Sequence, residues 1–117
     1  MIIELVDNWR YYLEGKHTFT DWRHIPDEKQ FYYNPMVVKD FKQYINHLLN
    51  HVNVYTHIPY KDDPTIMAWE TGDELSPPMS WTRTIATYLR RLDHHHLIVD
   101  GSREINRDAL GLTVPLH

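Results

Sequence analysis

Three short apolar runs, at residues 2–6, 66–69 and 97–99, alternate along the chain with two stretches in which apolar residues recur every third or fourth position. The runs are rich in β-branched and bulky side chains, and the turn-forming pairs Asp7-Asn8, Gly72-Asp73 and Asp100-Gly101 follow them. Runs of this kind predict strands covered on both faces, the parallel-sheet case. The first periodic stretch opens at Asn34-Pro35, a capping side chain followed by a ring already set at helical φ. Val37, Val38, Phe41, Tyr44, Ile45, Leu48, Leu49, Val52 and Tyr55 then make one stripe over about five turns. In the second stretch, Trp81, Ile85, Tyr88, Leu89 and Leu92 predict a helix over 81–92, preceded by Pro77-Pro78. The order strand, helix, strand, helix, strand predicts an α/β fold whose parallel strands are joined by right-handed crossovers.

The connections are unequal. Those from helix into strand, such as 60–64, are compact and carry ordinary turn chemistry, with Asp62-Asp63-Pro64 as a turn. The connection from the first strand into the first helix runs over 7–34, long for a structureless segment of a compact domain and therefore expected to be functional. It leaves the carboxyl end of a parallel strand, where α/β folds place their ligands. Of the four Trp, eight Tyr and three Phe in the chain, it holds Trp9, Tyr11, Tyr12, Phe19, Trp22, Phe31, Tyr32 and Tyr33. Most of these, Phe31, Tyr32 and Tyr33 among them, are expected to form a hydrophobic cluster that anchors the segment.

Length and charge narrow the function. The chain has 117 residues, 42% of them hydrophobic, which suits one small domain. A net charge of -4 offers no electrostatic case for nucleic acid or an anionic membrane. No apolar run reaches the roughly 18 residues that span a bilayer. Met1-Ile2-Ile3-Glu4-Leu5-Val6 lacks the basic and long apolar regions of a signal peptide. Without cysteine there is neither a disulfide framework nor thiolate chemistry.

The chemistry concentrates in Trp69-Glu70-Thr71-Gly72-Asp73-Glu74-Leu75, at the end of the second predicted strand. A carboxyl there faces a barrel mouth, where partial desolvation favours the protonated form that a general acid needs. Glycoside hydrolysis requires such an acid and a second carboxylate across the sugar. Flat C–H faces of sugar rings stack on aromatic side chains, so an acidic strand end beside an aromatic loop fits that chemistry.

These residues resemble a known family. The segment from Tyr60 through Ala68-Trp69-Glu70-Thr71-Gly72-Asp73-Glu74-Leu75 is similar to the fourth-strand region of the endo-β-mannanases of glycoside hydrolase family 5, where an Asn-Glu pair supplies the acid/base. Leu5-Val6-Asp7-Asn8-Trp9 resembles the end of their third strand, Phe31-Tyr32 through Tyr55 the helix between, and Leu97-Ile98-Val99-Asp100-Gly101 the fifth strand. The resemblance spans nearly the whole chain. It implies a partial (β/α)8 TIM barrel, strands three to five with two connecting helices, in which 1–117 is a piece of one catalytic domain. It further implies Glu74 as acid/base, Asp73 at the substrate-hydroxyl position, Trp9 as a sugar platform and Asn8 at the cleft rim. The implied partner is β-mannan or a related hemicellulose, cleaved internally with retention, outside the cell and without a cofactor. Two departures stand out. Asp73 replaces an amide, and a carboxylate can only accept a hydrogen bond. The family's nucleophile, a Glu on the seventh strand, lies beyond this sequence, so the chain alone is expected to be inactive. With both sheet edges unpaired, it is also expected to fold poorly or to associate.

Other readings stay beside this one. A non-catalytic or degenerate carbohydrate-binding homologue shares the residues, and a small open α/β domain shares the element order, although no strand is followed by a glycine-rich phosphate loop. Glu70 is the rival carboxylate, placed in a polar network at the strand end. His47 and His51 are spaced i, i+4 without an HExxH pattern, and His94-His95-His96 falls in a turn; all are expected to be surface histidines rather than metal ligands.

Overall fold

The computed structural model describes residues 1–8 and 15–102. Its three strands, β1 (Ile2–Glu4), β2 (Ala68–Glu70) and β3 (Leu97–Val99), form one parallel sheet in the order β1-β2-β3. Between β1 and β2 lie α1 (Lys16–Trp22), α2 (Gln30–Tyr33) and α3 (Pro35–Asn50), and between β2 and β3 lies α4 (Met79–Leu92). The register aligns Ile3, Trp69 and Ile98 in one row, and Glu4, Glu70 and Val99 in the next. Alternation along a strand sends these rows to opposite faces. Trp69 and Ile98 enter the core beneath the helices, with Ile3 packed against it. The other face carries Ile2 and Leu97, both exposed, and the two glutamates. That face is the interior side of a partial (β/α)8 barrel.

The long first connection is not structureless, which corrects the reading of 7–34 as an irregular loop. It folds into α1 and α2 because its aromatics find partners on the neighbouring helices. Phe19 of α1 packs edge-on to Phe41 of α3 at 5.4 Å, and Phe31 of α2 lies 5.2 Å from the same ring. Phe41 in turn stacks at 5.8 Å on Trp81 of α4. Each fully buried ring adds roughly 1.5–3 kcal/mol, so this cluster welds the helices of both connections into one layer. Tyr32 joins it, whereas Tyr33 is 61% exposed and takes no part in the anchor expected of it.

Helix α3 starts where the pattern predicts. The Asn34 side chain accepts from Met36 N and Val37 N, and Pro35 occupies the first turn. It ends at Asn50, short of the predicted Val52 and Tyr55. The Asn53 side chain accepts from Tyr55 N at 2.8 Å and Thr56 N at 3.2 Å, and this turn outcompetes another helical turn. Tyr55 is consequently 89% exposed. Helix α4 begins two residues before the first residue of its apolar stripe, on Pro78 as its N-cap. Among the described residues, no helix is long and apolar enough to cross a membrane.

At the amino end of the sheet, His96 corrects the expectation of surface histidines. His94 and His95 are exposed, but His96 is buried, with Nδ1 2.5 Å from Asp93 Oδ2 and Nε2 2.6 Å from the Asp63 carbonyl. Asp93 also accepts from Trp69 Nε1 at 2.6 Å and from the backbone N–H groups of His95 and His96. Arg90 donates to the carbonyls of Asp93 and His96, closing the carboxyl end of α4. Burial pushes the Asp93 carboxyl up, but the bonds from Trp69, His95 and His96 outweigh it and hold the group below the usual carboxylate range. A depressed carboxyl stabilises the fold above its unfolded value of about 3.9, and that stability is lost as pH falls through the folded value. In a barrel that joins this chain to the remaining strands, Asp93→Ala is expected to cost about 3–5 kcal/mol in urea unfolding at neutral pH. The gap between parent and variant should narrow below about pH 4. A gap independent of pH would show that the ionised carboxylate is not what holds this end together.

Candidate functional site

The carboxyl ends of the three strands meet at the turn 71–76. Leu5 N donates to Glu70 O and Thr71 N to Val99 O, so pairing continues past the last strand residues. Beyond them, Asp73 N donates to Val6 O at 2.9 Å, Asn8 N to Asp73 O at 3.2 Å, and Leu75 N to Gly101 O at 3.0 Å. Thr71 Oγ1 accepts from Gly101 N at 2.9 Å. The turn is therefore tied to the end of β1 on one side and of β3 on the other. Gly101 permits this approach: a Cβ there would stand 1.7 Å from the Gly72 carbonyl oxygen. Ser102 N and Oγ bond Asp100 Oδ1, which fixes the far side.

Within this frame Glu74 adopts φ 51°, a left-handed conformation that a non-glycine residue reaches at a cost of roughly 1–2 kcal/mol. Its side chain is exposed. The turn thus leaves this residue exposed beyond the strand ends, at a local cost borne by the hydrogen bonds around it.

Asp73 faces different surroundings. Its carboxylate lies with those of Glu4 and Asp7 in a group whose offered oxygens are all within 4.8 Å of one another. Burial raises the Glu4 carboxyl above its usual range, and the negative charges of Asp73, Glu70 and Asp7 raise it further. Glu70 is buried at the same level as Glu4 in the register, in keeping with a polar network at the strand end rather than with exposure at the mouth. Oxygen ligands at this spacing suit a hard cation in kind, although acidic groups often cluster without one. The histidine pair His47 and His51 is exposed on the outer side, with ring centroids 6.4 Å apart.

Of the four residues singled out in the sequence, three come together. Asp73 and Glu74 share the turn, and Asn8, beyond the end of β1, is bonded to it through its backbone N–H to the Asp73 carbonyl. Trp9 lies outside the described residues. Glu4 and Asp7 were not singled out, and the signal for Glu4 was an acid at the inward-alternating position of an otherwise apolar run. The sequence pattern makes Tyr32 an anchor alone, yet its hydroxyl accepts from Ser76 N at 3.2 Å. No sequence spacing connects residues 32 and 76; only the fold does.

A chain with this fold and these strand ends has clear relatives. The family model described as GH family 5 beta-mannosidase-like matches residues 4–112. The chain belongs to that family. A putative mannan endo-1,4-beta-mannosidase P of Arabidopsis thaliana is 32% identical over 93% of this chain and 30% of its own length. Mannan endo-1,4-beta-mannosidase 4 of Solanum lycopersicum is 32% identical over 86% of this chain and 28% of its own. Among solved structures, the hyperthermostable endo-1,4-beta-D-mannanase of Thermotoga petrophila RKU-1 superposes with a TM-score of 0.80 at 35% identity, covering 86% of this chain and 30% of that one. The chain thus spans about 30% of the length of these relatives.

The strain at Glu74 is directly testable. In a barrel that joins this chain to the remaining strands, Glu74→Gly relieves the left-handed conformation and is expected to raise stability by about 0.5–1 kcal/mol in urea unfolding. A variant less stable than the parent would mean that the Glu74 side chain contributes to folding rather than opposing it.

Proposed function

We propose that the chain forms the acid/base-bearing part of an endo-β-1,4-mannanase barrel that cleaves internal linkages of mannan polysaccharides with retention, outside the cell. The observation that carries this reading is the exposed Glu74, held at φ 51° on a turn clamped between two strand ends. Backbone strain of this kind clusters at functional positions, and the carboxyl ends of barrel strands are where barrel enzymes carry their catalytic side chains. Glu74 would protonate the departing glycosidic oxygen while a second carboxylate, on a part of the barrel not in this chain, attacks the anomeric carbon. Glu74 would then take a proton from the water that releases the sugar. Asn8 and Asp73, joined at the rim, would meet the sugar hydroxyls beside the reacting bond. Trp9, two residues past Asp7, would offer the stacking face. The mannanase relatives, and a family match over most of the chain, support mannan as the substrate class.

One observation favours a second reading, a homologue that binds mannan without cleaving it. Asp73 stands where an amide would donate to a sugar hydroxyl, and its charge sits in a group with Glu4 and Asp7. Two substitutions separate the readings in a barrel that joins this chain to the remaining strands. Glu74→Gln should lower mannan hydrolysis by about 10²–10⁴-fold, and unchanged activity would remove Glu74 from the mechanism. Asp73→Asn should leave a working enzyme within a few-fold of the parent. If instead only Asp73→Asn hydrolyses mannan and the parent merely binds it, the second reading is correct.

A further inference from the structure

We propose that Tyr32 is a positioning residue for acid catalysis, its hydroxyl holding the turn that carries Glu74; the inference rests on the reading of Glu74 given above. Tyr32 is the third residue of α2, 6% exposed, and its ring is enclosed on several sides. Phe31 and Trp81 pack edge-on against it, with centroids at 5.4 and 5.2 Å. The Lys16 ammonium lies 5.3 Å from its centroid. A ring so confined cannot relocate its hydroxyl. That hydroxyl accepts from Ser76 N at 3.2 Å, two residues after Glu74.

The turn is thus supported from three directions. Two supports are backbone bonds to the strand ends, Asp73 N to Val6 O and Leu75 N to Gly101 O. The third comes from below, through a side chain of the aromatic cluster. Burial pushes the Tyr32 phenol up to about 12, so the hydroxyl stays neutral across the working range of a glycosidase. Its support does not titrate, and it reaches Glu74 through the Ser76 backbone. Because this bond is only partly buried, water can take the place of the tyrosine hydroxyl once it is gone. The consequence falls on where Glu74 sits, more than on whether the chain folds.

Leaving-group chemistry reads this out. In a barrel that joins this chain to the remaining strands, kcat/KM is measured on a mannan oligosaccharide, whose sugar leaving group needs a proton. It is measured again on an aryl β-mannoside oligomer whose dinitrophenolate departs without one. Glu74→Gln should fall steeply on the first substrate and little on the second. Tyr32→Phe keeps the ring and removes the hydroxyl. It should fall about tenfold on the first substrate and less than about twofold on the second, as a misplaced acid would. Equal losses on both substrates, or no loss on either, would overturn the positioning role while leaving the Glu74 result intact. If Glu74→Gln itself falls equally on both, the acid/base reading fails and this inference fails with it.

Discussion

Backbone pairing that outlasts the strands is the constraint on which the site depends. β1, β2 and β3 are three residues each, yet bonds continue from Leu5 N, Thr71 N, Asp73 N and Leu75 N to the neighbouring strand ends. Parallel strands project their carboxyl ends to one side, so a turn stitched to both neighbours there has little freedom left. Glu74 adopts a conformation it would not choose alone because residues on either side of it are already committed. The same pairing turns Asp73 toward Glu4 and Asp7 and leaves Glu74 at the mouth.

The aromatic layer supplies the rest of the rigidity. α1 and α2 are short, seven and four residues, and isolated helices of that length are not stable in water. They persist through Phe19, Phe31 and Tyr32 packing on Phe41 and Trp81. Through Tyr32, the packing of the segment between β1 and α3 reaches the turn at 71–76. At the opposite end of the sheet, Asp93 and His96 join the α4–β3 corner to the segment before β2.

Much of this was legible in the sequence, and the limits have physical causes. Strand order and the α3 start could be read because apolar runs and an Asn-Pro cap act locally. The end of α3 could not, since Val52 and Tyr55 keep the helical period while the Asn53 side chain diverts the backbone. α1 and α2 escaped because their stability comes from partners in other helices. His96 looked like its neighbours His94 and His95, and only the position of Asp93 and Asp63 in space separates them. At the site, the motif and its family resemblance pick out Asp73 and Glu74 on one turn and Asn8, which the fold bonds to that turn from beyond the end of β1. Glu4, Asp7 and Tyr32 had to wait for three dimensions, because their contacts join segments far apart in the chain.

The central claim is geometric: Glu74 is one half of a carboxyl pair across the barrel mouth. The direct measurement is the distance from its carboxyl to the facing carboxylate, in a crystal structure of the chain joined to its remaining strands and bound to a mannan oligosaccharide. The account predicts about 5–5.5 Å, with Glu74 within hydrogen-bonding reach of the glycosidic oxygen. A Glu74 carboxyl turned to bulk solvent, or no carboxylate facing it within about 9.5 Å, would contradict it.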